Sequence, residues 1–175
     1  MKSFVKFGIF IGLAISVWNL SCFTTVQWLN QIFSLGIPTA RSRTLSGLFG
    51  IITLILGIFL GMREVKRKND YILTYGQALK VGICISVITA CVVGLFAFVY
   101  CTWINPGYQD FMVREAEASL TNAKYSPELI REQLQKVRSQ FSTGNQVLQG
   151  LIAQSVVGTL SSLIIGLFIK TKTNK

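Results

Sequence analysis

The densest group of charged side chains in this 175-residue sequence is basic. Arg63, Lys66, Arg67 and Lys68 lie within six residues, between two apolar runs. Cations at this density contact the phosphate groups of anionic lipids, and they orient membrane proteins because basic loops are retained in the cytoplasm. The sequence therefore predicts lipid-headgroup contacts and a cytoplasmic position for these four residues.

A nucleic acid is a second class of anion that the net charge of +10 could suggest. The basic residues, however, collect at the ends of apolar runs, and they do not alternate with aromatic residues as on a stacking platform. We therefore expect anionic membrane lipids as partners and no nucleic acid.

Amide side chains are the polar groups that fall inside apolar runs. Asn19, Gln27 and Gln154 each need a hydrogen-bond partner in hydrocarbon. One interpretation is that these amides join helices, with Asn19 bonded to another helix and Gln154 as its candidate partner. The alternative is a passive lipid-handling or small-solute protein in which all three amides line a polar groove.

Catalytic and metal-binding chemistry has few candidate residues. Histidine is absent, and the four cysteines show no CxxC spacing. Cys84 and Cys91 are seven residues apart and could share a soft metal, but small packing residues in a helix interface are the expected role. We predict no catalytic residue, metal or cofactor. Active transport is also disfavoured, because the apolar runs carry no ionisable residue near their centres.

Apolar residues make up 51% of the chain and charged residues 14%, as in a membrane protein. They form four runs of about the 20 residues that cross a bilayer as helix. The sequence predicts an all-α fold, a four-transmembrane-helix bundle in a single domain over residues 1–175. The predicted spans are about 7–29, 46–62, 81–103 and 147–169.

Small residues recur four positions apart in these spans and form smooth faces for close helix packing. The first two pairs predict a close crossing of the first and second spans. The residues concerned are Gly8 and Gly12, Gly57 and Gly61, and Gly158, Ser162 and Gly166; a further stripe is Gly82, Ser86, Ala90 and Gly94.

The polar segment between the third and fourth spans predicts an amphipathic helical hairpin, over about 109–141. Ser126, Pro127 and Glu128 are typical of a helix start. An apolar stripe follows at helical spacing: Ile130, Leu134, Val137 and Phe141. The hairpin could pack on itself, lie on the membrane, or offer this stripe to a partner.

Orientation follows from counting basic residues. The two ends of the chain and the loop from Arg63 to Lys80 carry ten, whereas the other connections carry seven, five of them balanced by five acidic residues. The bias predicts that both termini and the loop from Arg63 to Lys80 lie in the cytoplasm.

Several features together resemble the bacterial membrane family catalogued as domain of unknown function 4199. They are the spacing of Arg63, the run TYGQALKVG over 74–82, the pair Asn105 and Pro106, the SPELIREQL helix and the glycines of the last span. The resemblance implies a four-helix integral membrane protein without established activity, encoded near membrane glycosyltransferases that act on polyprenyl phosphates. We therefore expect a non-enzymatic accessory or scaffolding subunit that binds a membrane protein or a second copy of itself.

Overall fold

The computed structural model describes residues 2–33 and 39–171, with side-chain surroundings described for 4–22, 25 and 44–171. Regular structure in these ranges is entirely helical. The helices are α1 (Lys2–Phe33), α2 (Thr39–Lys68), α3 (Tyr75–Val99), α4 (Tyr108–Asn122), α5 (Pro127–Gln140) and α6 (Thr143–Ile169), and a π-helical turn, Tyr100–Ile104, follows α3.

Four of these helices are long and apolar enough to cross a membrane, as predicted. Their apolar segments are Phe4–Cys22, Thr44–Lys68, Tyr75–Ile104 and Thr143–Ile169. Between 17% and 39% of the residues in their most apolar windows are buried. Most of this apolar surface therefore faces outward, which indicates a membrane protein.

The turn between α2 and α3 is defined by its backbone hydrogen bonds. The amide of Tyr71 donates to the carbonyl of Lys66 over 2.9 Å and closes the end of α2. Asp70 and Tyr71 adopt φ of 50° and 62°, the left-handed conformation common where helices end. Thr74 and Gln77 then exchange hydrogen bonds of 3.1 and 3.3 Å, a reciprocal cap that starts α3.

The chain packs as two compact units, one comprising Met1–Val93 with Leu151–Lys175 and the other Gly94–Gly150. In the first unit, α1, α2, α3 and most of α6 share one apolar core. It contains Ile11, Ile15, Leu54, Ile58, Met62, Leu73, Ala78, Val81, Ile85 and Ile169. A single domain over residues 1–175 stays a prediction.

The small-residue stripes of α3 and α6 meet each other in the first unit. A Cβ added to Gly82 would lie 2.6 Å from Cβ of Ser162, and one added to Gly158 would overlap the side chain of Ser86. The two serine hydroxyls donate to the carbonyls of Gly82 and Gly158, over 2.7 and 2.6 Å. Each glycine thus faces a serine of the other helix, and we call this contact the α3–α6 seam.

The glycines of α1 and α2 receive branched side chains instead of facing one another. Gly8 and Gly12 lie against Ile88 and Val92 of α3, where an added Cβ would come within 2.8 and 2.6 Å. The Thr89 hydroxyl donates to the carbonyl of Gly8 over 3.1 Å. The first glycine pair therefore packs on α3. Helices α1 and α2 do pack closely on each other, as predicted, but through Ile11 of α1 against Gly57 of α2.

Gly57 and Gly61 of α2 and Gly166 of α6 show the same close approach. An added Cβ on Gly57 would overlap Ile11 of α1, and one on Gly61 would overlap Ile85 of α3. On Gly166 it would lie 3.2 Å from the ring of Tyr75. Side chains at these positions would force the Ile11, Ile85 and Tyr75 side chains to shift.

Three aromatic rings organise the second unit. Tyr108 packs edge-on against Tyr100 and against Phe141, with centroid distances of 5.6 and 6.1 Å. Asn105 donates to the Tyr100 hydroxyl over 3.1 Å. The side-chain amide of Gln109 donates to the carbonyl of Arg138 over 2.7 Å, which joins the first turn of α4 to the last turn of α5.

Candidate functional site

A cleft of about 600 Å³ lies where α2 ends in the first unit, and we call it the basic cleft. Its lining combines cations, Arg63, Lys66 and Arg67, with large apolar side chains, among them Phe59, Leu60 and Phe168. The basic cluster of the sequence is thus part of a concave surface with apolar walls.

The cations of this cluster differ in how they are held. Lys66 donates to the carbonyl of Ile169 over 2.8 Å, so it caps the carboxyl end of α6. Arg67 and Lys68 both pair with Glu64, at 2.7 and 3.3 Å. Lys68 does not line the cleft. Arg63 is exposed and makes no hydrogen bond or ion pair within the described part of the chain.

The end of α6 is tied to the α2–α3 turn beside the cleft. The backbone amide of Thr171 donates to the carbonyl of Leu73, and its hydroxyl accepts from the amide of Leu73, both over 2.9 Å. The same hydroxyl donates to the carbonyl of Tyr71 over 2.9 Å. These bonds keep the apolar wall from α6 next to the cations of α2.

Sequence reasoning missed the apolar wall of the cleft. Phe59 and Leu60 precede Arg63 by four and three residues, so helical spacing places them on its face. The sequence therefore contained enough information to predict the positions of Phe59 and Leu60. It did not predict Phe168, because that residue reaches the cleft only through the packing of α6, about 100 residues further along the chain.

Asn19 and Gln154, both among the described side chains, do not hydrogen-bond each other. The hydroxyl of Ser46 donates to the side-chain oxygen of Asn19, which joins α1 to α2. Gln154 approaches α2 one turn further along, with its amide nitrogen 4.0 Å from a Cβ built on Gly50. The side chain of Gln27 lies outside the described residues. The pairing of Asn19 with Gln154 is therefore wrong, and joining of helices by Asn19 takes place through Ser46.

The cysteines are all free thiols, and Cys84 and Cys91 are exposed on α3. Their expected role as packing residues in a helix interface is therefore wrong within the first unit. The stripe of Gly82 and Ser86 occupies that interface instead. Among the described residues, no group of three histidine, cysteine or acidic side chains could hold a metal ion.

Helix α5 begins at Pro127, as predicted, and the Ser126 hydroxyl accepts from the amide of Leu129 over 3.4 Å. The apolar stripe that follows is divided in two. Ile130, Leu134 and Val137 are half-buried, whereas Phe141 is 8% exposed and packs on Tyr108. The Phe141 ring is buried inside the second unit, so it is not available to a partner.

The ion pair on the outer face of α5 gives a pH-dependent prediction. The ammonium group of Lys136 lies 2.6 Å from Oε1 of Glu132, and this hydrogen bond and its charge hold the pKa of Glu132 below the ordinary 4.5. A carboxyl with a depressed pKa stabilises the fold above its unfolded pKa, and the contribution is lost as pH falls through the folded pKa. The Lys136→Met variant should raise the Glu132 pKa to its ordinary value in an NMR titration. Lys124→Met should leave that pKa unchanged, and equal values in wild type and Lys136→Met would refute the pairing.

Comparison with known proteins places the chain in a family. The model of the family described as "Protein of unknown function (DUF4199)" matches residues 6–171, which confirms the resemblance noted in the sequence. No curated protein and no solved structure matches the chain significantly. Since the match extends over nearly all 175 residues, the chain belongs to the DUF4199 family.

Proposed function

We propose that this chain is a non-enzymatic accessory or scaffolding subunit of a bacterial inner-membrane complex. The observation that carries the proposal is that buried hydroxyl groups of the first unit donate their hydrogen bonds to backbone carbonyls of the helices. Ser16, Ser86 and Ser162 donate to carbonyls of their own helices, and Thr89 donates to the carbonyl of Gly8. The Thr89 bond joins α3 to α1, whereas the other three hydroxyls are satisfied inside their own helices. All four side chains are buried, so they are not presented to a substrate.

The close approach of the helices supports the same proposal. Along the α3–α6 seam, space for even one added carbon is missing at Gly82 and Gly158. A pathway for a solute needs separated helices lined by polar groups. The close contact of each glycine with a serine side chain of the other helix instead favours a rigid support whose outer surfaces interact with lipid and with other proteins.

The surface proposed for a partner is the apolar face of α5. With both termini and the basic cluster cytoplasmic, α4 and α5 form an amphipathic helical hairpin outside the cytoplasm. Ile130, Leu134 and Val137 give α5 a half-buried apolar face that a partner could cover. The family resemblance favours a polyprenyl-phosphate glycosyltransferase as the partner, and a second copy of the chain is the other candidate.

Photo-crosslinking in native membranes tests this proposal. A photoreactive residue at Gln135, which is exposed on α5, should yield one discrete product with a different membrane protein after mild-detergent purification. The same probe at Asn69, in the α2–α3 turn, is the matched control and should not yield that product. Mass spectrometry would identify the partner.

The outcome that contradicts the proposal is equally specific. A chain that is recovered alone, or crosslinked only to itself, from both probe positions would exclude the accessory role with a separate partner. A product of equal yield from Gln135 and Asn69 would show that the contact does not involve α5.

A further inference from the structure

We propose that the basic cleft binds the phosphate headgroup of an anionic membrane phospholipid and holds the start of its acyl chains. This inference goes beyond the accessory role and does not depend on any protein partner. The lining contains three cations and one carboxylate, a formal charge of +2. A concave surface with that charge and large apolar walls matches an amphiphile with an anionic end.

Two guanidinium groups are placed to share one phosphate. Arg63 and Arg67 are four residues apart in α2, so both project from the same face of the helix and their Cβ atoms are about 6 Å apart. Guanidinium groups donate paired hydrogen bonds to phosphate oxygens. Arg63 has no other partner among the described residues, and it is therefore available for such a ligand.

The present partner of Arg67 does not prevent this binding. Glu64 lies between Arg67 and Lys68, at 2.7 and 3.3 Å. When Arg67 turns to a phosphate, Lys68 continues to compensate the carboxylate. Lys66 remains on the carbonyl of Ile169, where it offsets the partial negative charge at the end of α6.

The apolar walls lie on the side of the cations that an acyl chain would occupy. Phe59 and Leu60 precede Arg63 by about one turn, toward the middle of α2. Phe168 of α6 is 83% exposed, and Phe7 of α1 completes the same wall. The polarity of the cleft thus changes along α2 in the same order as that of a phospholipid, from apolar chain to phosphate.

The test is a lipid titration of the full chain in neutral detergent at low salt, followed by native mass spectrometry. Dioleoyl phosphatidylglycerol should bind as a discrete adduct, and dioleoyl phosphatidylcholine, which has the same chains but no net charge, should bind more weakly. The double variant Arg63→Gln with Arg67→Gln should weaken phosphatidylglycerol binding about 30-fold. A matched double variant outside the cleft, Arg114→Gln with Arg131→Gln, should stay within about twofold of wild type.

A variant in the apolar wall tests the acyl-chain contact without changing the charge of the protein. Phe168→Ala removes an exposed ring, so the fold should persist, and it should weaken binding about fivefold. Inorganic phosphate and glycerol 3-phosphate separate the lipid from a soluble phosphate. Neither should displace the lipid at equal concentration.

Three results would overturn the proposal. Unchanged phosphatidylglycerol binding by the variant at Arg63 and Arg67 would show that the cleft is not the binding site. An equal loss of phosphatidylglycerol affinity in the control variant at Arg114 and Arg131 would show that binding depends only on the total charge of the protein. Displacement by glycerol 3-phosphate, with no effect of Phe168→Ala, would assign the cleft to a soluble phosphate.

Discussion

The Gly82→Ala variant is expected to lower the free energy of unfolding by about 2 kcal/mol. The added methyl group would lie 2.6 Å from Cβ of Ser162 and 2.6 Å from Cε of Met62. The Met62 side chain can move aside because it is flexible, but Cβ of Ser162 moves only with α6. Opening the α3–α6 seam also disturbs the hydroxyl that donates to Gly158 over 2.6 Å.

Thermal unfolding in detergent, followed by circular dichroism, would measure this effect. Gly76→Ala is the matched control, because Gly76 lies in the same helix and an added Cβ there meets nothing within 4 Å. Alanine favours helix over glycine, so this control should be neutral or stabilising by up to about 1 kcal/mol. Equal stability of the Gly82→Ala and Gly76→Ala variants would contradict the seam.

A second substitution, at Ser162, tests whether the loss of stability in Gly82→Ala comes from its contact with Ser162. Ser162→Gly removes the atoms that the new methyl group would overlap, so it should recover most of the stability lost in Gly82→Ala. The coupling between the two sites should be about 1 kcal/mol or more, as expected for residues in direct contact. Additive effects would show that Gly82 and Ser162 do not meet.

The second large effect is expected in the other compact unit, where Phe141→Ala should cost about 3 kcal/mol of local stability. The ring is 8% exposed and lies against Tyr108, which itself is 4% exposed. Its removal leaves a cavity between the first turn of α4 and the end of α5. Amide hydrogen exchange in α5 should accelerate by roughly two orders of magnitude.

A second aromatic residue in the same unit provides the control. Tyr125 is 50% exposed in the turn between α4 and α5, so Tyr125→Ala should leave exchange in α5 within a fewfold of wild type. Exchange that is as slow in Phe141→Ala as in wild type would show that this ring does not hold α5 in place.

The helices of this fold were predictable because their determinants are local. Four apolar runs of bilayer length and the Ser126 cap specify where most helices lie. Two helices extend beyond the predicted spans, because α2 continues through polar residues to Lys68 and α1 continues to Phe33. Charged side chains at a helix end favour water but do not stop the helix.

The contacts between helices were not predictable from spacing alone. The stripes of α3 and α6 were visible, but that Gly82 would face Ser162 depends on chain topology over 80 residues. The bond from Lys66 to the carbonyl of Ile169 spans 103 residues. The cleft includes Phe168 of α6, whose position follows from that packing. The sequence therefore predicted the cations of the cleft but not its apolar lining.

The central claim is that the four apolar helices cross a membrane, and we propose that both termini lie in the cytoplasm. Cysteine labelling tests it most directly, in a chain whose four native cysteines are replaced by alanine. Ser119→Cys in α4 and Asn69→Cys in the α2–α3 turn are both exposed positions. With a membrane-impermeant maleimide, Asn69→Cys should react only from the cytoplasmic side and Ser119→Cys only from the opposite side. Reaction of Ser119→Cys from the cytoplasmic side would contradict the account.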